Sequence, residues 1–254
     1  MFRFKNREEA AKKLAAALQE YRGKTPLVLA IPRGAVPMAR MIADALGGEV
    51  DVILVHKLGA PGQPELAIGS IDESGHTYWH PYARELGIPK AYLDQEARAQ
   101  LALLRERRQR YSRGREPIPI RDRIVMVVDD GIATGSTMIA ALQAARRREP
   151  KKLIVVTAVA PPDTLKRLEK FADEVVCLQT PESFYAVGQF FEEFPQVSDE
   201  EVLAILTQGE SPGGPNSPVH IPAGEKNLAG DLVIPAGAKG LVLFAHGSGS
   251  SHQS

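Results

Sequence analysis

The sequence has little cysteine, no excess of charge and no long hydrophobic run, and each absence excludes a class of protein. Cys177 is the only cysteine among 254 residues, so a disulfide within the chain is impossible and a reducing compartment is expected. Lysine plus arginine equals aspartate plus glutamate at 31 each, so no overall field attracts nucleic acid or an anionic membrane. No apolar stretch approaches the roughly 20 residues that span a bilayer, and the charged N-terminus does not predict a signal peptide. We therefore expect a cytoplasmic protein.

The most informative part of the sequence is the run IVMVVDDGIATGSTM at 124–138, which joins an apolar stretch, two acids and a small-residue loop. The stretch from Ile124 to Val128 predicts a strand buried on both faces of a parallel sheet. Asp129 and Asp130 follow where the chain leaves that strand. Adjacent carboxylates at such a point can accept hydrogen bonds from vicinal hydroxyls, as on a ribose, or from waters around a divalent metal.

The loop after the acid pair has the features of a phosphate-binding turn. Its glycines permit tight backbone geometry, and its hydroxyl side chains precede a predicted helix, whose first N–H groups and dipole attract anions. The loop residues are Gly131, Ile132, Ala133, Thr134, Gly135, Ser136 and Thr137. The carboxylates can bind sugar hydroxyls, and the backbone amides beside them can bind phosphate. Together they predict a binding site for a sugar phosphate.

A second turn suited to phosphate lies upstream in LVLAIPRGAVPMA at 27–39, where a short apolar strand runs into Pro32, Arg33 and Gly34. Gly34 lets the backbone approach an anion closely, and Arg33 adds a positive charge with fork geometry. An ordinary strand-to-helix turn is the alternative for this segment alone. Two such turns in one chain favour a ligand that carries phosphate at both ends.

Other patterns fit the acid pair and its loop less well. The P-loop pattern G-x-x-x-x-G-K-[ST] does not occur, and a Rossmann fingerprint is poorly matched because the acids precede the glycines. Receiver-type domains also place carboxylates at strand ends, so the acid pair alone leaves that class open. The composition of the loop argues against it.

The two segments together resemble the type I phosphoribosyltransferase family, whose signature is an apolar strand, two acids and a small loop of the form xxATGxT. The resemblance covers 1–208 and implies transfer of the phosphoribosyl group of phosphoribosyl pyrophosphate to a nitrogenous acceptor, with release of pyrophosphate. It implies that Asp129 and Asp130 hold the ribose hydroxyls, that 131–137 anchor the 5′-phosphate, and that Arg33 relieves the leaving charge.

The same resemblance implies Mg2+ as the cofactor, bound on the substrate diphosphate and not directly by the protein; a contact to Asp129 through water stays open. We also expect a homodimer with no nucleic-acid or membrane partner. The alternative function is a regulator of the same fold that senses phosphoribosyl pyrophosphate or a nucleotide without catalysing transfer.

Three further segments match parts of this family. The run DVILVHK predicts a buried strand that ends at Lys57, where family members carry a basic residue, although a lysine at a strand end is equally typical of a solvated surface. ELAIGSIDESG at 65–75 resembles the start of the family's long mobile excursion over the substrate. SFYAVGQFFEEF at 183–194 is aromatic, so Phe184 belongs either to a hood that stacks on the acceptor base or to the core.

A basic cluster ends the helix predicted at 91–112. Its members are Arg105, Arg107, Arg108, Arg110, Arg113 and Arg115. Basic side chains at a helix C-terminus suit the dipole and are typical of a solvated face. One alternative is that some of them, in the segment from Tyr111 to Arg115, close over pyrophosphate, and another is that the cluster contacts nucleic acid or a dimer partner.

Strands and helices alternate along the first 208 residues. We predict strands at 27–31, 51–56, 66–71, 76–79, 124–128, 153–158 and 174–178, and helices from Asn6 to Tyr21 and at 36–46, 91–112, 136–147, 162–170 and 199–206. This alternation indicates an α/β fold with a doubly wound, mainly parallel sheet. The ligand is expected at the carboxyl ends of the strands, where both loops lie.

The composition changes at 209–218, GESPGGPNSP, which predicts a linker. The stretch 219–254 is expected to form a short β-rich extension and resembles the opening strands of an α/β-hydrolase of the dienelactone hydrolase type. It contains no G-x-S-x-G elbow, so we expect no hydrolase chemistry from it, and His246 is interpreted as a loop residue.

One departure from the family pattern bears on the acceptor. Members that use 6-oxopurines carry an aspartate before the T-G of the loop, whereas this chain has Ala133. Hypoxanthine and guanine are therefore disfavoured, while adenine-type, orotate-type and other nitrogenous acceptors stay open.

Overall fold

The computed structural model describes residues 2–113, 116–207, 217–223 and 226–232. The chain divides into two compact units, Met1–Leu206 and Thr207–Ser254. The first unit contains seven helices, α1 Arg7–Ala17, α2 Ala35–Leu46, α3 Pro81–Glu85, α4 Lys90–Ser112, α5 Ser136–Arg146, α6 Pro162–Leu168 and α7 Asp199–Thr207, the last of which reaches the boundary. Its strands are β1 Leu27–Ala30, β2 Glu49–Val52, β3 Val55–Ala60, β4 Gln63–Asp72, β5 Thr77–Trp79, β6 Ile124–Asp129, β7 Lys152–Val159 and β8 Glu174–Gln179.

The central sheet has five parallel strands in the order β2-β1-β6-β7-β8. Its middle strands are almost wholly apolar and buried, which is the pattern of a parallel sheet covered on both faces. The predicted α/β fold with a doubly wound, mainly parallel sheet is therefore confirmed. No helix in the described part of the chain is both long and apolar enough to cross a membrane.

Alternate residues of one strand face two different cores. In β1, Val28 packs with Leu14 and Ile42 of α1 and α2 on one face, whereas Leu29 packs with Leu142 of α5 on the other. Both layers of helices are thus fixed by apolar burial on opposite sides of the sheet.

The strand order creates a switch point between β1 and β6. The chain moves outward from β1 to β2 and later returns to β6 on the other side of β1. Loops that leave the carboxyl ends of two such neighbouring strands diverge to opposite faces and open a crevice, the usual ligand site of open α/β sheets. Both loops singled out in the sequence follow these two strands.

The strand predicted at 51–56 is wrong in one respect, because the structure divides this run between two sheets. β2 ends at Val52, and β3 begins at Val55 in a separate antiparallel sheet of three strands, β3-β4-β5. Ile53 and Leu54 lie between them, and each is buried in a different core. Both residues between the two strands are apolar and neither is a typical turn residue, so the sequence predicts one continuous strand. The strands predicted at 66–71 and 76–79 also belong to this second sheet.

One arginine of the basic cluster is not on a solvated face. The Arg108 side chain is only 10% exposed and pairs with Glu73 and, at 2.7 Å, with Asp51. It also donates to the Val52 carbonyl at 2.7 Å. Arg108 therefore joins α4 to the central sheet and to the turn after β4, and the surface interpretation is wrong for it. Arg115 lies outside the described residues.

The second unit contains an antiparallel hairpin of β9 Ser217–Ala223 and β10 Lys226–Leu232. The last two residues of the predicted linker, Ser217 and Pro218, belong to β9. His246 and the rest of the predicted hydrolase-like stretch after Leu232 lie outside the described residues.

Candidate active site

The two predicted phosphate loops meet at the carboxyl edge of the central sheet. Ala30, the last residue of β1, lies opposite Val128 of β6, and the Ile31 amide donates to the Val128 carbonyl at 3.0 Å. Beyond this point Gly34 packs directly against Asp130: a Cβ on Gly34 would lie 2.2 Å from the Asp130 Oδ2. Only glycine leaves room for the carboxylate, so the first loop and the acid pair form one site.

The acid pair occupies the centre of this site. Asp129 ends β6, and its Oδ1 accepts a hydrogen bond from the Asp130 amide at 3.0 Å. Burial raises the pKa of the Asp129 carboxyl well above its usual range, and the neighbouring Asp130 charge adds to the effect. Burial also raises the pKa of Asp130, but an arginine opposes this shift. Two carboxylates held this close in a partly dry site need a compensating cation or hydroxyl partners.

That arginine is Arg7, which the sequence did not single out. Its Nε donates to the Asp130 Oδ2 at 2.7 Å, and both side chains are 12% exposed. The pairing spans a sequence separation of 123 residues. No local motif predicts this pairing, because in the sequence Arg7 is one of several charged residues at the start of α1.

The loop after the acid pair is fixed from behind by its neighbours. The Ile132 side chain is buried, and its amide donates to the Val159 carbonyl at 2.9 Å. The Ala133 carbonyl accepts from the Thr164 hydroxyl at 2.7 Å, and the Thr134 carbonyl accepts from Arg167 at 3.2 Å. The carbonyls of the loop thus turn toward α6.

The amides of the same loop stay available. Gly135 adopts φ +74° immediately before α5, a conformation that favours glycine. Within the described residues, no acceptor pairs with the amides of Thr134, Gly135, Ser136 and Thr137. The Thr134 and Ser136 hydroxyls lie 3.4 Å apart beside them. Free N–H groups, two hydroxyls and the N-terminus of α5 together suit a phosphate group.

The opposite loop presents Arg33. Its side chain is 46% exposed, and its nearest acid is Asp199, 3.9 Å away. Asp199 accepts a hydrogen bond from the Tyr111 hydroxyl at 2.6 Å. Burial, together with that bond, raises the pKa of Tyr111 to about 12, so the hydroxyl keeps its proton at neutral pH. Pro32 precedes Arg33 through a cis peptide bond, and Gly34 leads directly into α2, which begins at Ala35.

The aromatic segment at 183–194 packs against the loop, and its two central phenylalanines belong to the core. Phe190 and Phe191 are fully buried, and the Phe184 ring lies 5.1 Å from that of Phe190. Gly131 is adjacent to this segment, since a Cβ there would lie 2.4 Å from the Val187 side chain. Tyr185, in contrast, is 90% exposed. The core interpretation therefore holds for Phe190 and Phe191, while a hood over the acceptor stays a prediction.

Lys57 is not joined to the site by any contact among the described residues. It is exposed on β3, opposite Ser70 of the antiparallel sheet. Cys177 on β8 is also no candidate for chemistry, because burial raises the pKa of its thiol to about 11.

The residues of the site fit Mg2+ only as an auxiliary partner. Magnesium prefers oxygen ligands, which Asp129 and Asp130 offer. In the described part of the chain, however, no group of three or more histidine, cysteine, aspartate or glutamate side chains could hold a metal. A magnesium ion here would need most of its ligands from the substrate and water.

Comparisons with known proteins agree with this geometry. The phosphoribosyl transferase domain family matches residues 3–193, a range that includes both loops and all but the last residue of the aromatic segment. Two curated proteins of Mycobacterium tuberculosis, from strains H37Rv and CDC 1551, are each 41% identical over 265 residues and are provisionally named phosphoribosyl transferases. The alignment takes in 99% of this chain, which spans 60% of the length of those relatives.

One solved structure is also similar. The crystal structure of TT1426 from Thermus thermophilus is 44% identical, with a TM-score of 0.72 over 81% of this chain and 98% of that one. The family match ends at residue 193, so the resemblance of 219–254 to a hydrolase gains no support from it and stays a prediction.

Proposed function

The chain belongs to the phosphoribosyl transferase family, and from this premise we propose that it transfers the phosphoribosyl group of phosphoribosyl pyrophosphate to a nitrogenous acceptor and releases pyrophosphate. The observation that carries the proposal is the position of the acid pair between two anion-suited loops. Asp130 packs directly against Gly34 of the first loop, and the chain runs from the acid pair into the loop whose amides at the start of α5 are free. The substrate has the same order of groups: phosphate, vicinal hydroxyls, diphosphate.

The reaction is a substitution at the anomeric carbon of the ribose. The bond from that carbon to the diphosphate oxygen breaks, a bond to the acceptor nitrogen forms, and the acceptor gives up a proton. Positive charge develops on the sugar as the diphosphate leaves. In this proposal Asp129 and Asp130 hold the ribose hydroxyls and stabilise that charge, while Arg33 stabilises the departing anion.

Magnesium belongs to this proposal as a partner of the diphosphate. When bound, it would neutralise charge on the leaving group. The described residues offer too few ligands for a dedicated metal site, and Asp129 is the residue that would contact the ion, through water.

Binding is tested by thermal unfolding. Phosphoribosyl pyrophosphate together with Mg2+ is expected to raise the melting temperature more than either alone, because a ligand that binds only the folded state stabilises it by about 2.7 kcal/mol at 100 times its Kd. Inorganic pyrophosphate with Mg2+ is the control for the diphosphate part alone. An unchanged melting temperature at millimolar phosphoribosyl pyrophosphate contradicts the proposed site.

The identity of the acceptor can be tested by changing Ala133, which is exposed in the loop after the acid pair. An Ala133→Asp variant is expected to gain turnover of hypoxanthine or guanine, because it supplies the carboxylate that 6-oxopurine members of the family carry at this position. Ala133→Asn, of similar size and without the charge, serves as the control. If the Asp variant keeps the acceptor preference of the wild type unchanged across a panel of purines, pyrimidines and amines, Ala133 does not border the acceptor.

A further inference from the structure

The contact between Arg7 and Asp130 joins the N-terminal helix to the centre of the site. The guanidinium is held by more than the 2.7 Å bond to Asp130. Its Nη1 donates to the Pro195 carbonyl at 2.6 Å, and its Cζ lies over the Phe194 ring, 3.8 Å from the ring centre. The Nη2 is 3.1 Å from the position of a Cβ on Gly34. Arg7 thus contacts the acid pair, the first loop and the end of the aromatic segment at once.

The chain fixes Arg7 in this place through its own backbone. Asn6 caps α1 by accepting from the Glu9 amide at 3.1 Å, so Arg7 is the first residue of the helix. Just before the cap, the Phe4 amide donates to the Phe190 carbonyl at 2.8 Å, and the Glu192 amide returns a bond to the Phe4 carbonyl at 2.9 Å. The N-terminal segment and the aromatic segment are therefore locked together, and the arginine is preorganised.

A contribution to stability alone does not explain an ion pair at this position. Burying two charges costs solvation free energy that the attraction between them barely offsets. Here the carboxylate involved is part of the acid pair and packs directly against Gly34 of the first loop. A planar guanidinium that holds one carboxylate oxygen removes the rotational freedom of the other.

We propose that Arg7 is a positioning residue for phosphoribosyl transfer: it holds the Asp130 carboxylate in the orientation that receives the ribose hydroxyls. This inference rests on the proposed function, since the orientation of Asp130 matters only if a ribose binds beside it.

A double-mutant cycle on pyrophosphate release tests this role. Arg7→Met is expected to lower kcat/KM roughly 10- to 100-fold, the scale of one hydrogen bond to a charged group. In an Asp130→Asn background the same change is expected to cost less than about 3-fold, because Arg7 then has no carboxylate to orient. The asparagine amide in that background is neutral and needs no counter-charge, so a small loss there shows that the effect of Arg7 depends on the Asp130 carboxylate.

Two further variants separate positioning from folding. Arg7→Lys keeps the charge without the fork and is expected to fall between wild type and Arg7→Met. Arg3→Met is the matched control, because Arg3 also donates to a carbonyl of the aromatic segment, that of Phe191 at 2.5 Å, and does not contact Asp130. It is expected to stay within about 2-fold of wild type, since it contacts neither the acid pair nor either loop.

Different experimental outcomes would overturn the inference about Arg7 and the proposed function on which it rests. Additive losses in the cycle, or a folded Arg7→Met variant with wild-type kcat/KM, overturn the role of Arg7 while leaving the proposed function intact. A wild-type chain that releases no pyrophosphate with any acceptor overturns both.

Discussion

Replacing Asp129 or Asp130 by asparagine is expected to lower kcat roughly 30- to 1000-fold, or about 2 to 4 kcal/mol in barrier. Asparagine keeps the size of the side chain and one acceptor oxygen but removes the charge. Because positive charge develops on the ribose only as the diphosphate leaves, the carboxylates contribute more to the transition state than to the bound substrate. The loss should therefore appear mainly in kcat, and binding of phosphoribosyl pyrophosphate should change less.

Asp163→Asn is the control for this experiment. Asp163 lies on α6, next to the threonine that anchors the loop, and its side chain is 96% exposed. Steady-state kinetics and a binding measurement on the same preparations distinguish a catalytic loss from a binding loss. If the Asp129→Asn and Asp130→Asn variants are folded and turn over at the wild-type rate, the catalytic assignment of the acid pair is contradicted.

The second large effect is on stability. Arg108→Met is expected to lower the free energy of unfolding by about 3 to 5 kcal/mol, because it leaves Glu73 and Asp51 as buried acids without their cation. The methionine fills much of the same volume, so lost packing is a minor part of the change. Denaturant unfolding followed by circular dichroism measures it.

Arg110→Met gives the matched comparison on the same helix. Arg110 pairs with Asp199 at 3.0 Å, but its side chain is 53% exposed. Exposed ion pairs contribute little, so this variant is expected to lose no more than about 1 kcal/mol. Equal losses from the two substitutions are the result that contradicts a buried anchor at Arg108.

Sequence reasoning located the centre of the site because its signals are local. The acids directly follow a buried strand, and the glycine-rich loop directly precedes a helix, so each piece can be recognised within a dozen residues. Their meeting with Gly34 follows from one general rule, that the carboxyl ends of neighbouring parallel strands share an edge. The prediction of an α/β fold with ligand loops at that edge rests on the same rule.

What sequence reasoning missed depends on contacts between distant residues. Arg7 and Arg108 look like ordinary surface arginines on helices, and only the fold brings them to Asp130 and to Glu73. The division of the run at Ile53 was missed because burial in two different cores gives the same apolar pattern as one strand.

Other expectations are not tested by the structure and stay predictions. Lys57 as a partner of pyrophosphate, Phe184 as part of a hood over the acceptor, a homodimer and a cytoplasmic location each need their own experiment. For Lys57 and Phe184, the structure shows where each residue lies relative to the two loops. Lys57 makes no contact with either loop among the described residues, and Phe184 packs on the buried Phe190.

The most direct test of phosphoribosyl transfer by this protein is the release of pyrophosphate from phosphoribosyl pyrophosphate, measured with Mg2+ across a panel of bases and small amines. Wild type is expected to release pyrophosphate in an acceptor-dependent manner, and the double variant Asp129→Asn/Asp130→Asn is expected to release almost none while remaining folded. Tight binding of phosphoribosyl pyrophosphate by wild type without release for any acceptor would contradict catalysis and favour a sensor of the same fold.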